Sequence, residues 1–367
     1  MQIERINLAS FSNDQHFYDK IELIVAIKNF DLAAIRKRYL ASKKEKSGKT
    51  GSVERRAVSQ GGLAKITIEK GKITNEEILV KLNEPRGIAV LDDIFSFSAE
   101  NTIYIIKDDV QTLNDPWFSY IHTLDFDENG EKLIVSSSGF DVLFEYDVKS
   151  LKKTYEWWAW ENGFNIGFDA KKDEAIILSR KALSDADKRV VVINDPANQV
   201  LPTAMRSAFI NSVVYDRADN NKLLATFFHE GKVYAIDKKS GQAIPELEGL
   251  KTPHGGERLG EDVFATSTGS GEVVFQANNK KSIYSFKDLK GKPDFLADME
   301  WLQNSKSIGD NIITIDSNRT SFVIFNRKTQ QMDIIPYNSN WAIQDMVQVK
   351  LSEHQEDLIR SLNNPSN

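Results

Sequence analysis

From residue 60 to residue 349 the apolar positions fall in short runs in which apolar and polar side chains alternate, and helical periodicity is nearly absent. Alternation with a period of two marks half-buried strands. The runs are rich in Val, Ile, Phe and Tyr, and turn clusters (DENG, RADNN, SGFD, HEG, GSG, DSNR) separate them. The pattern predicts an all-β chain.

The runs also repeat. "WFSYIHTLDFDENGEKLIVSSSGFDVLFEYD" (117–147) has a histidine before a short strand, then a turn, a second strand, a Gly-bearing turn and a third strand. Related stretches run from Ile210 to Asp237 and from Pro253 to Gln276. Aligning the first residue of each candidate inner strand gives Arg86, His122, Asn165, Asn211, His254, Glu300 and Gln344, with gaps of 36, 43, 46, 43, 46 and 44 residues. A four-stranded propeller blade takes ~40–45 residues, so the spacing predicts a seven-bladed β-propeller.

Gln344 leaves room for one strand, "WAIQDMVQVKL", while the N-terminal region offers "KIELIVAIKN", "GGLAKITIEK" and "KITNEEILV". A C-terminal strand joining the N-terminal blade closes the ring and removes free sheet edges. A six-bladed ring is the alternative, because the unit at Asn165 is irregular and carries the polar insertion "KALSDADK". Residues 1–351 then form one propeller domain with a basic insertion at 31–60, whose start reads as a short amphipathic helix. The tail, 352–367, opens on a plausible N-cap and an acidic turn and reads as a short helix giving way to disorder.

In such a fold the aligned residues ring one mouth of the channel. The turns holding Ser137, Gly139 and Asp141, His229 and Glu230, and Asp316 and Arg319 form its rim, with the 31–60 insertion as a lid. His122 and His254 are the candidate catalytic residues, as acid/base or nucleophile, because imidazole titrates near neutral pH. Arg86 suits an anionic group, Asn165 and Asn211 orient a substrate, and Tyr120 walls the site with Trp117 and Phe118. Glu300 is a possible metal ligand. Each residue also has a purely structural reading: asparagines cap turns, Arg86 pairs with Glu84, and Glu300 is a solvated or Arg-paired carboxylate. "YEWWAWE" (155–161) is core packing or an exposed partner patch. "KSGKTGS" (46–52) lacks the first glycine of a phosphate loop, and "DFDENGEKL" lacks the last ligand of a calcium loop.

Composition narrows the partners. With 41% hydrophobic and 27% charged residues the chain is a soluble globular protein, and a net charge of −6 argues against nucleic acid. The absence of cysteine excludes disulfides, thiolate nucleophiles and Cys-ligated metals. The N-terminus does not read as a secretory signal and no stretch reaches the ~18 apolar residues of a membrane helix. The expected setting is the cytoplasm, without a membrane.

"PRGIAVLDDIFSFSAENTIYII" is similar to the repeat of NHL-type and gluconolactonase-type propellers. "IHTLDFDENGEKLIV" and "FEYDVKSLKKTYEWWAW" resemble blades of bacterial arylsulfotransferases. The second resemblance implies a central site in which a channel histidine accepts the transferred group, and it carries to His122 and His254. That family is usually exported, and this chain shows no signal. The first implies a divalent metal held by Glu, two Asn and Asp. Glu300, Asn165, Asn211 and Asp345 are the residues here of those types, in local motifs that do not match. The expected function is an enzyme of group-transfer, hydrolysis or lyase type acting on a small anionic or polar substrate. The alternative is a non-catalytic scaffold binding protein or glycan in a larger assembly.

Overall fold

The strand Ile121–Phe126 pairs antiparallel with Lys132–Ser137, which pairs with Val142–Asp147 and then Lys153–Trp158. The first hairpin closes because the Asp127 carboxylate accepts the N–H groups of Glu131 and Lys132 at 2.8 and 3.0 Å. This is the stretch with calcium-loop-like acids, and it is a hairpin turn. The apolar face of the sheet holds Leu133, Val135, Phe144 and Trp158, all buried. Each such side chain contributes about 1.5–3 kcal/mol on burial. The computed structural model describes residues 1–42, 49–54, 57–184 and 186–363.

The described strands form seven sheets. Six of them start on an inner strand: Pro85–Leu91, Ile121–Phe126, Ile210–Tyr215, Pro253–Leu259, Leu302–Ile308 and Ala342–Gln348. These six pack side by side in that order, and Ala342–Gln348 packs in turn against Pro85–Leu91. Bonds between neighbours tie them together. Val213 N donates to Thr123 Oγ1 at 2.8 Å, Asn211 Nδ2 to the Pro253 carbonyl at 2.7 Å, and Asn304 Nδ2 to Asp345 Oδ1 at 2.7 Å.

The seventh sheet corrects the sequence reading. Ile166–Asp169, Glu174–Ser179 and Arg189–Val192 make only three strands, the last two parallel. Because the Ile121 and Ile210 strands bond each other directly, no inner strand stands between them at Asn165. Asn165 instead bonds its own sheet, its carbonyl accepting Leu178 N at 2.8 Å.

Ala342–Gln348 is the inner strand of a sheet completed by Ile21–Asn29, Gln60–Glu69 and Lys72–Asn83, the strands expected for it. Two further N-terminal strands were not expected. Gln2–Asn7 and Ser12–Asn13 add in parallel to the outer strands Lys280–Ser285 and Gln331–Pro336. The insertion opens with the helix Leu32–Ser42, whose Leu32 and Ile35 pack on Leu296, Met299, Trp301 and Ala342. A second helix, Glu353–Ser361, begins at a capping box between Ser352 and Gln355. The disorder expected at the end of the tail falls on 364–367, outside the described residues. Trp157, Trp158 and Trp160 are buried, with Trp158 edge-on to Trp117 at 4.8 Å, so "YEWWAWE" packs the core. Among the described residues no helix is long and apolar enough to cross a membrane.

Candidate functional site

Each of the six inner strands carries a register shift near its start, at Pro85/Ile88, Ile121/Leu124, Ile210/Ser212, His254/Glu257, Leu302/Ser305 and Ala342/Asp345. A bulge re-aims side chains and is common beside functional sites. Four of the strands are also entered through a non-glycine residue in the left-handed region: Glu84 (φ 42°), Tyr120 (51°), Phe209 (49°) and Thr252 (49°). These stand two residues before Arg86, His122, Asn211 and His254.

The strand starts meet at a cavity of about 120 Å³. Arg86, His122, His254, Gln303 and Gln344 line it, joined by Lys28 from the Ile21 strand and Arg38 from the first helix. Phe209, Phe228 and Trp301 supply aromatic walls. Among the described lining residues there are three cations and no carboxylate.

His122 is buried, and its Nδ1 lies 2.9 Å from the Tyr120 carbonyl oxygen. A carbonyl only accepts, so Nδ1 carries the proton and Nε2 keeps its lone pair. Burial and then the Arg86 charge hold its pKa well below the usual value. His254 is lowered to about 3 by burial and then by Lys28, and its Nδ1 lies 2.7 Å from Thr268 Oγ1. Phe209 stands edge-on to His122 at 5.3 Å and Phe228 to His254 at 5.7 Å. Both imidazoles are therefore neutral at pH 7 in a cationic surround.

Arg86 is buried and donates to Glu84 Oε2 at 2.9 Å. Tyr120 is not in the cavity wall; it lies beside it, its ring 5.0 Å from the Arg86 guanidinium and 4.4 Å from that of Arg206. Trp117 and Phe118, expected to wall the site with it, pack in the core instead. Asn211 is buried next to the cavity, its Nδ2 bonded to the Pro253 carbonyl, and its Oδ1 has no partner among the described residues. Lys28 Nζ donates to Gln344 Oε1 at 2.9 Å and lies 5.6 Å from the Trp301 ring.

Part of the insertion covers this cavity. Thr50, Gly51 and Ser52 line it, Ala204 N donates to the Ser52 carbonyl at 3.1 Å, and Lys49 Nζ donates to the carbonyls of Ile166 (2.9 Å) and Ser207. Gly51 (φ 135°) has no room for a side chain, since a Cβ there would stand 2.5 Å from Thr203 Cγ2. His229, in an adjacent turn, holds the same region through Nε2, 3.0 Å from the Thr203 carbonyl. Burial and then Lys49 lower its pKa to about 3.

Other expected residues have different work. Glu300 precedes the Leu302 strand and accepts from Lys292 Nζ at 2.6 Å; the aligned position belongs to Gln303. Asn165 does not reach the cavity, and Asp345 is bonded by Asn304, Met346 N and Ile88 N. These residues do not fit a divalent ion, and no three acidic or histidine side chains among the described residues form a metal-binding group. Asp141 is fully buried and accepts from Ser207 N and Oγ, Ala208 N and Ile210 N at 2.8–3.2 Å, which fixes the rim loop. Asp316 and Arg319 form a buried ion pair at 2.8 Å.

A second cavity, of about 370 Å³, lies at the other ends of the inner strands. Its charges are paired, Arg217 with Asp125 at 2.8 Å and Lys306 with Glu257 at 3.1 Å, and burial pushes Asp125 up to about 6. Lys28, Gln303 and Thr252 escaped sequence reasoning. Only Lys28 left a signal, as a lone cation ending the apolar strand "IELIVAIKN".

No protein-family model matches the chain, and no curated protein is similar to it in sequence. Solved structures are similar in fold. The nidogen/laminin complex matches at 9% identity over 89% of this chain and 97% of that one, with a TM-score of 0.54. A protein of unknown function from Bacteroides caccae matches at 11% over 89% and 98%, TM-score 0.49. Virginiamycin B lyase from Staphylococcus aureus, with quinupristin, matches at 15% over 70% and 73%, TM-score 0.42. At such identities the likeness speaks to fold alone. The likeness supports a propeller-like, mostly β fold and does not single out the NHL-type or arylsulfotransferase families.

Proposed function

We propose that the chain is a closed six-bladed propeller whose channel mouth at the strand starts binds a small anionic molecule, and that His122 is the proton acceptor in an enzyme reaction there. The carrying observation is the make-up of the cavity: Lys28, Arg38 and Arg86 with two neutral imidazoles and no carboxylate among its described residues. Three cations in the wall, with Arg86 partly offset by Glu84 at 2.9 Å, favour an anion. The fixed tautomer of His122 supports the second half of the reading, since Nε2 is left as a base. Its low proton affinity suits a ligand-triggered base: a bound anion stabilises the imidazolium and raises that affinity when substrate arrives.

Group transfer, hydrolysis and elimination can each use such a proton acceptor. The scaffold reading has less support. The tryptophan-rich blade is buried and the described part of the basic insertion is engaged on the mouth. Native mass spectrometry of the purified protein tests the proposal. A small anion bound at one per chain, and absent from the His122→Ala/His254→Ala double variant, is the expected result. An empty wild-type protein that also fails to bind any member of a library of small organic acids and phosphates contradicts it.

A further inference from the structure

Thr252 stands two residues before His254, at the turn entering the Pro253 strand, with φ at 49°. A left-handed backbone is unfavourable for any residue with a Cβ and worse for a β-branched one. The turn itself recurs at Glu84, Tyr120 and Phe209, so the geometry belongs to the blade. The choice of threonine does not. Asparagine or glycine fits the same conformation with less strain.

The hydroxyl is what sets threonine apart at this turn. Thr252 lines the cavity, and its Oγ1 is buried without a hydrogen-bond partner among the described residues. Space is made for it by Gly269, where a Cβ would lie 2.8 Å from Oγ1. A buried hydroxyl left unpaired is costly, and strained residues that persist cluster at ligand sites. Lys28 and Thr268 line the same cavity as Thr252 and His254.

We infer that Thr252 is a specificity-determining residue of the mouth, its hydroxyl donating to an oxygen of a carboxylate or phosphate group held beside Lys28 and His254. This rests on the anion-binding reading above and adds the chemical class, an oxyanion, and the group that selects it. A bare halide or a thioether offers that hydroxyl no comparable acceptor.

The test titrates inorganic phosphate and acetate separately into the full chain at low ionic strength, following the His254 ring by NMR. Wild type binds at least one of the two, and the stronger identifies the group. Thr252→Val weakens that binding about threefold to tenfold, the loss of one neutral hydrogen bond, and Thr252→Ser restores it. Thr252→Gly also binds weakly yet melts no lower than wild type, because strain is released. Unchanged affinity in both Thr252→Val and Thr252→Gly overturns the role of Thr252 and leaves the anion site standing. If wild type binds neither probe, both readings fall.

Discussion

Nδ1 of His122 lies 2.9 Å from the carbonyl oxygen of Tyr120, a residue held in the left-handed conformation two positions earlier. The turn that aims the ring thus also selects its tautomer. Nitrogen-15 NMR of the imidazoles checks this: His122 is predicted to hold its proton on Nδ1 and to stay neutral at pH 5.5. A ring that protonates near the ordinary value of about 6.5 contradicts it.

Neutral burial makes stability depend on pH. His122, His229 and His254 bind a proton less readily folded than unfolded. Below about pH 6.5 the unfolded chain takes up protons first, so the stability these residues preserve at neutral pH is lost as pH falls. The loss continues toward about 3, the folded value of His229 and His254. About 1 kcal/mol is lost per histidine per pH unit. Urea unfolding between pH 7 and 5 measures the slope, and His229→Gln is predicted to reduce it.

The buried pair Asp316–Arg319 is structural, although both residues sit in a turn the sequence places on the rim. Arg319 also donates to the carbonyls of Phe286, Leu289 and Lys290. Asp316→Asn leaves that guanidinium buried without its counter-ion, and a loss of about 3–5 kcal/mol is predicted. A loss below about 1 kcal/mol in urea unfolding contradicts the assignment.

Glu300→Gln is predicted to leave metal content unchanged on elemental analysis. It lowers stability by about 1–3 kcal/mol by removing the partner of Lys292. Stoichiometric metal in wild type that vanishes in the variant reverses this.

Gly51→Ala tests the cover over the mouth. Its Cβ meets Thr203, so the 49–52 segment must lift and the Ala204–Ser52 bond must break. Faster hydrogen exchange at the Ala204 amide, with little change in global stability, is the expected outcome.

The strands were legible because alternation and turn chemistry are local, and the sheet shared by the two ends of the chain because one C-terminal strand lacked partners of its own. The three-stranded sheet at Asn165 was not. The 43-residue gap from His122 to Asn165 matches a blade, but the chain there spends it on a short side sheet. Glu300 stood in place of Gln303 because the connection into the Leu302 strand, which carries the one-turn helix Asp294–Leu296, lengthens that unit by residues that an even spacing does not reveal. The histidines and Arg86 were legible as repeat positions. Lys28 reaches the site from the second strand of its sheet and Thr252 from a turn, and no sequence period brings either to that place.

The mouth at the strand starts is proposed to be an anion site. Crystals soaked in tungstate, with the anomalous signal mapped, test it most directly. A peak is expected within hydrogen-bonding reach of Lys28 or Arg86, displaced in Arg86→Gln crystals. A peak only at the opposite cavity, on Arg217 or Arg258, or none at the histidine mouth, would contradict it.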